Sequence, residues 1–145
     1  MIDRFEGPYR FLSNFWECDI YSSEDGAVYK SVEHIFQADK TNDPKEKKTI
    51  RDCATPGQAK RAGRKVTLRP DWEKIKLSRM EARVRYKFFT HKDLAELLLA
   101  TGDEELVEGN DWGDDFWGVI LETGKGENHL GKILMKVREE LRSRK

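Results

Sequence analysis

The sequence predicts an α+β fold with more helix than strand: one helix-rich domain over residues 1–145 with a small β-sheet. Three observations predict it. Helix-start signals follow one another closely from Ser31 onward, a single hairpin signal precedes them, and repeats of helical period fill the middle and the end of the chain.

The hairpin comes first. ECDIYSSEDGAVYKS sets the turn signal Ser-Ser-Glu-Asp-Gly between two β-branched and aromatic segments, which predicts strands of about three to four residues. Ser31 then caps a helix over VEHIFQADK. Asp43 with Pro44 starts PKEKKTIRDCA, and Thr55-Pro56-Gly57-Gln58 has capping-box spacing. KVTLR reads as a short strand. Pro70 opens a long helix in which Leu77, Met80, Val84 and Phe88 share one face, and HKDLAELLLATG continues with a helix that stops at Gly102. A last helix begins near Asn128 and turns Leu130, Ile133, Leu134, Val137 and Leu141 inward.

Charge excludes some functions and shapes others. Basic and acidic side chains number 27 each, so affinity for nucleic acid or anionic lipid cannot come from a net cationic surface. It would need local clustering. KRAGRKVTLR supplies Lys60, Arg61, Arg64, Lys65 and Arg69, whereas residues 103–115 hold seven carboxylates and no cation. Such a layout suits a molecule with phosphate at one end and a bond to be broken at the other; two solvated faces of opposite sign are the plainer reading. The charged, aromatic start and the short aliphatic run LAELLLA predict neither a signal peptide nor a membrane span, so a soluble cytoplasmic chain is expected. Cys18 and Cys53 match no metal or redox spacing, and the three histidines show no ligand pattern, so no metal and no cofactor is expected.

Three places could hold chemistry. In SVEHIFQADK, Glu33, Gln37 and Lys40 fall at i, i+4 and i+7, so an acid, an amide and an amine share a stripe. Exposed, that stripe is a solvated surface; lining a cleft, it is an acid/base or nucleophilic site. Helical projection puts Trp72 beside Lys76, Arg79 and Arg83, away from the apolar face. Its ring is either buried by a neighbouring element or offered to a planar base or sugar. GNDWGDDFWG gathers Trp112, Phe116 and Trp117 with Asp111, Asp114 and Asp115 around glycines, which reads as a binding loop. A glycine-rich turn, GKGENHLG, leads into the last helix and reads chiefly as a helix entry.

Taken together and in order, FLSNF, SVEHIFQADK, TPGQAKRAGRKV, the Asp71–Phe88 pattern, LLATGDEELVE, FWG and GENHLGKILMKVREEL resemble the NADAR, or YbiA-like, family across nearly the whole chain. The resemblance implies an N-glycoside hydrolase acting on ribose C1–N bonds, in one branch on ribosylated intermediates of riboflavin synthesis and in another on ADP-ribose attached to guanine in nucleic acid. It places the motif acid on Glu33 and the motif lysine on Lys40. The tryptophan after G-R-x-V falls on Trp72. The aspartate before W-G falls on Asp114, with Asp115 as alternative, and its tryptophan on Trp117. Asn128 occupies the G-x-N-x-L-G position, and Asn14 and Phe15 the F-L-S-N-F positions. Many relatives read W-G-x-G where this chain has Trp117-Gly118-Val119-Ile120.

Cleaving a ribose C1–N bond builds positive charge on the sugar, so it needs a carboxylate near C1 and a proton donor for the departing base. Glu33 and Asp114 would fill these roles in either order. Lys40 would admit a Schiff-base route. Trp72 and Trp117 would stack on a base, and Arg64 would meet phosphate. Substrates would be a ribosyl phosphate or ADP-ribosylated nucleic acid, with protein partners unassigned. Two rival classes are a non-catalytic module binding ADP-ribose or NAD, and an interaction protein docking through residues 60–69.

Overall fold

The structure is a computed structural model and describes residues 1–144. It is α+β with more helix than strand, as the sequence predicts, and forms two compact units, Asn14–Lys87, and Met1–Ser13 with Phe88 onward.

In the Asn14–Lys87 unit the turn signal makes its hairpin because Asp25 closes it from within. Its Oδ1 accepts the Ala27 amide at 3.1 Å and its Oδ2 the Tyr29 hydroxyl at 2.5 Å. Strands β1 (Glu17–Ser22) and β2 (Ala27–Ser31) pair antiparallel and are longer than expected. Three helices then start where their caps are written. Ser31 Oγ accepts the His34 amide to open α1 (Val32–Ala38), Asp43 accepts the Lys45 amide to open α2 (Pro44–Arg51), and Thr55 accepts the Gln58 amide to open α3 (Pro56–Gly63). The Gln58 carboxamide reaches back to the Ala54 amide, one residue before the cap.

Helix α1 is the centre of this unit. Every residue from Val32 to Ala38 is buried, and it packs against α2, α3 and the hairpin. At its end Asp39, 2% exposed, receives Arg83 Nε at 2.9 Å and Nη2 at 2.7 Å, with Arg79 at 3.6 Å. Arg79 and Arg83 also bind Glu24 on the hairpin. Two guanidiniums from α4 (Trp72–Thr90) thus tie three elements together.

Several expectations are corrected here. KVTLR is not a strand: the Thr67 amide is taken by the Glu46 carboxylate and the Arg69 amide by the Lys40 carbonyl, which leaves no ladder to join. Leu77 is 42% exposed, so the inward stripe of α4 is Met80, Val84 and Phe88. Helix α1 stops at Ala38, short of Lys40, and α2 stops at Arg51.

The other unit opens with a 3-10 helix, Gly7–Leu12, and continues through α5 (Lys92–Ala100), β3 (Gly109–Asn110), β4 (Val119–Ile120) and α6 (His129–Ser143). Ile2 forms a parallel bridge with Leu106, while β3 and β4 pair in parallel. Gly102 takes φ +65° past the end of α5, the left-handed geometry that ends helices. Arg138 and Arg142 of α6 cover the carbonyls of Glu104 and Gly102. All five apolar positions expected to face inward on α6 are buried. Among the described residues no helix is long and apolar enough to cross a membrane.

Candidate active site

The question posed by the acid, amide and amine stripe has a structural answer: it is not a solvated helix face. Glu33 is 8% exposed and Gln37 5%. The Gln37 Nε2 donates to Glu33 Oε2 at 2.6 Å, and the Glu33 amide donates to the Asn14 carbonyl at 3.1 Å. A carboxylate removed from water is costly unless a donor such as the Gln37 carboxamide receives it. Gln37 Oε1, also buried, has no hydrogen-bond partner in the structure.

Lys40 lies just beyond the helix, its amide on the Gln37 carbonyl at 3.2 Å. Burial pulls its amine below the ordinary 10.5; the Glu33 carboxylate opposes this, while the Arg64 and Lys60 cations add to it. Desolvation and like charge therefore both favour an uncharged, nucleophilic amine. Arg64 itself is exposed at the end of α3. Phe15 keeps 42% of its surface exposed, with Lys60 Nζ 6.0 Å from its ring centroid. Asn14 is buried and its Nδ2 contacts Met80 Sδ at 3.4 Å. Six of the predicted residues thus belong to one unit and surround α1: Asn14, Phe15, Glu33, Gln37, Lys40 and Arg64.

Trp72 belongs to the same unit but is 7% exposed, its ring centroid 5.1 Å from that of Phe36. Burial by a neighbouring element, the first of its two readings, is what the ring shows.

In the other unit, the GNDWGDDFWG loop is organised by Asn110. Its Nδ2 donates to the Asp114 carbonyl at 2.8 Å and its Oδ1 accepts the Asp114 amide at 2.9 Å. Asp114 Oδ1 accepts the amides of Phe116 and Trp117 at 3.1 and 2.9 Å. One carboxylate oxygen thus shapes the loop. Asp115 is exposed. Trp117 stacks edge-on against Phe116 at 4.8 Å, and Phe116 lies 4.5 Å from His129. Asn128, at φ 53°, has its carboxamide held by the Leu106 carbonyl and the Glu108 amide.

Two supporting residues escaped the sequence reading. His34, fully buried, has Nδ1 2.7 Å from Ser31 Oγ and Nε2 3.0 Å from the Cys53 carbonyl, pinning α1 to the α2–α3 connection. Its helical position beside Glu33 was the available signal. Asn110 is the second; an Asn two residues before a Trp-Gly turn is a loop-forming residue. Among the described residues no group of three His, Cys, Asp or Glu side chains is disposed to hold a metal ion.

A buried acid with a desolvated amine in its field, bordered by cations and an exposed aromatic ring, is an arrangement able to do acid/base or nucleophilic chemistry. Comparison with known proteins bears on this directly. The NADAR domain model matches residues 3–142. An N-glycosidase of Nostoc punctiforme is 43% identical over 141 residues, covering 94% of this chain and 88% of that protein. The N-glycosidase YbiA of Escherichia coli is 40% identical over 137 residues, covering 92% and 82%. A riboflavin biosynthesis protein of Vibrio vulnificus is 42% identical over 133 residues, covering 90% of this chain and 35% of that protein. The NMR structure of E. coli YbiA superposes with a TM-score of 0.84 at 38% identity, covering 99% of this chain and 88% of that one. The class is therefore N-glycosidase, a hydrolase of N-glycosyl bonds. The chain belongs to the NADAR domain family.

Proposed function

We propose that this chain hydrolyses the C1–N bond of a phosphorylated riboside, with Glu33, Lys40 and Asp114 as its catalytic residues. The observation that carries the reading is the buried Glu33 carboxylate, hydrogen-bonded by Gln37, with the desolvated Lys40 amine in its field. In the direct route the C1–N bond breaks, the base leaves with a proton, and water adds to C1 to give the free ribosyl phosphate. Glu33 and Asp114 divide the tasks of stabilising the sugar cation and supplying the proton. In the covalent route the sugar ring opens to an iminium. The Lys40 amine adds to C1, the base departs as neutral amine, and water hydrolyses the Lys40 imine to the aldehyde, which recloses. Both routes consume one water and release one base.

Arg64 meets the phosphate, and Phe15 or Trp117 contributes a ring surface to the base. The name of the Vibrio relative favours a ribosylated riboflavin-pathway intermediate. The run of cations at residues 60–65 supports a second substrate, ADP-ribose on guanine in nucleic acid.

Incubation with a ribosylaminopyrimidine phosphate and with ADP-ribosylated DNA, side by side, tests the reading. We expect sugar release from at least one, lost in Glu33→Gln and Asp114→Asn, with a borohydride-trapped adduct at Lys40. Near wild-type turnover in both acid variants overturns the assignment. Binding of ADP-ribose without any product points to the non-catalytic module instead.

A further inference from the structure

The family assignment does not explain why a glycine sits at position 63. It is the last residue of α3, in ordinary helical conformation with no positive φ, where glycine weakens a helix relative to alanine. The reason is proximity. A Cβ on Gly63 would lie 2.7 Å from Gln37 Cδ and closer still to Oε1. No side chain fits there without moving the carboxamide, which is the group that donates to Glu33.

We propose that Gly63 and Gln37 act as a pair of positioning residues that hold the Glu33 carboxylate ionised and aimed, making Glu33 the cation-stabilising acid. An ionised carboxylate only accepts, so the carboxamide must turn its NH2 to Glu33 and its oxygen to Gly63. The oxygen then faces the bare α-carbon of the glycine, which is why it has no hydrogen-bond partner. The inference rests on the proposed role of Glu33, and it leaves delivery of the proton to another group of the site.

Other charged groups near α1 do not replace this device. Lys40, at the helix end, and Lys60 and Arg64, from the end of α3, act on one another in the same region. Lys47 of α2 is spent on the Ala38 carbonyl at 3.0 Å. Lys30 and Glu17 of the hairpin act on His34.

The test is a cycle of Gly63→Ala, Gln37→Ala and the double variant, read as kcat/KM against pH on a ribosylaminopyrimidine phosphate, with Glu33→Gln in parallel. We expect each single variant to lose about 10- to 100-fold in kcat/KM, the usual weight of a hydrogen bond to a charged group. Its acid limb should move up by about one to two pH units. In the Gln37→Ala background, Gly63→Ala should change little further, because it acts only through the carboxamide. Independent, additive losses with an unmoved acid limb would mark ordinary helix packing and overturn the pairing. Should Gly63→Ala not fold, Gln37→Leu decides by the same limb. If Glu33→Gln keeps wild-type turnover, the proposed function fails. If it is inactive while the pair variants are silent, only the present inference fails.

Discussion

Replacing His34 by alanine removes the pin that sets the pitch of α1 beneath Glu33. Ser31 Oγ already accepts the His34 amide, so its own proton goes to Nδ1, and Nε2 carries the ring proton to the Cys53 carbonyl. Truncation leaves the Ser31 hydroxyl proton without its acceptor, at a cost of about 1–3 kcal/mol, while the Cys53 carbonyl keeps the Lys30 amine at 2.9 Å. A buried void adds to the loss. With about 2–4 °C of Tm per kcal/mol for a chain near this size, the melting temperature should fall by roughly 10 °C. His34→Gln, whose amide can reach the carbonyl, should recover part of it. Burial also holds the imidazole below its ordinary 6.5. The unfolded chain therefore binds more protons than the folded one as pH drops through 6.5, and wild-type stability declines in that window. His34→Gln lacks this decline. Thermal melts monitored by circular dichroism from pH 8 to pH 5 measure both effects. A Tm loss under about 2 °C, or a wild-type minus Gln difference independent of pH, refutes the reasoning.

Two further outcomes follow from the same unit. Asp39→Ala leaves Arg83 buried without its bidentate partner and should destabilise by about 3–5 kcal/mol in urea unfolding, whereas Lys48→Ala, which breaks an exposed pair with Asp52, should cost under about 1 kcal/mol. The Lys40 amine is lowered from 10.5, so the unfolded chain binds more protons across the alkaline range and stability from this group rises as pH climbs toward 10.5. Lys40→Met should abolish that rise and melt higher than wild type at neutral pH; a lower melting temperature would contradict it.

What the sequence made legible was local. Ser31, Asp43 with Pro44, and Thr55 announce helix starts because a cap bonds within three residues of itself, and all three do so in the structure. The failures are contacts between distant residues. Nothing near Thr67 says that Glu46 takes its amide, 21 residues away, so a β-rich pentapeptide reads as a strand. Leu77 obeys the helical period yet meets solvent, because periodicity defines a face but not how far its partner extends. Of the site, Glu33, Gln37 and Lys40 were legible as a stripe. Their burial was not, since α1 is covered from several sides by α2, α3 and the hairpin. Gly63 carried no signal in the sequence, because its meaning lies in its close approach to Gln37, 26 positions earlier in the chain.

Several departures from ordinary folding rules gather in one stretch of this unit. The ion network at Asp39 and the imidazole network at His34 are fully partnered, as stable interiors require. The stretch around Glu33 is different. It contains a buried carboxamide oxygen without a partner, worth about 1–3 kcal/mol of lost stability. It also keeps an amine from its preferred charge and ends a helix on a destabilising glycine. A chain selected for stability alone would replace Gln37 with an apolar residue and Gly63 with alanine. Each departure instead lies beside the buried Glu33 carboxylate, where burial lowers the Lys40 amine below its ordinary range. The local cost is thus concentrated around the residues proposed to act on the sugar.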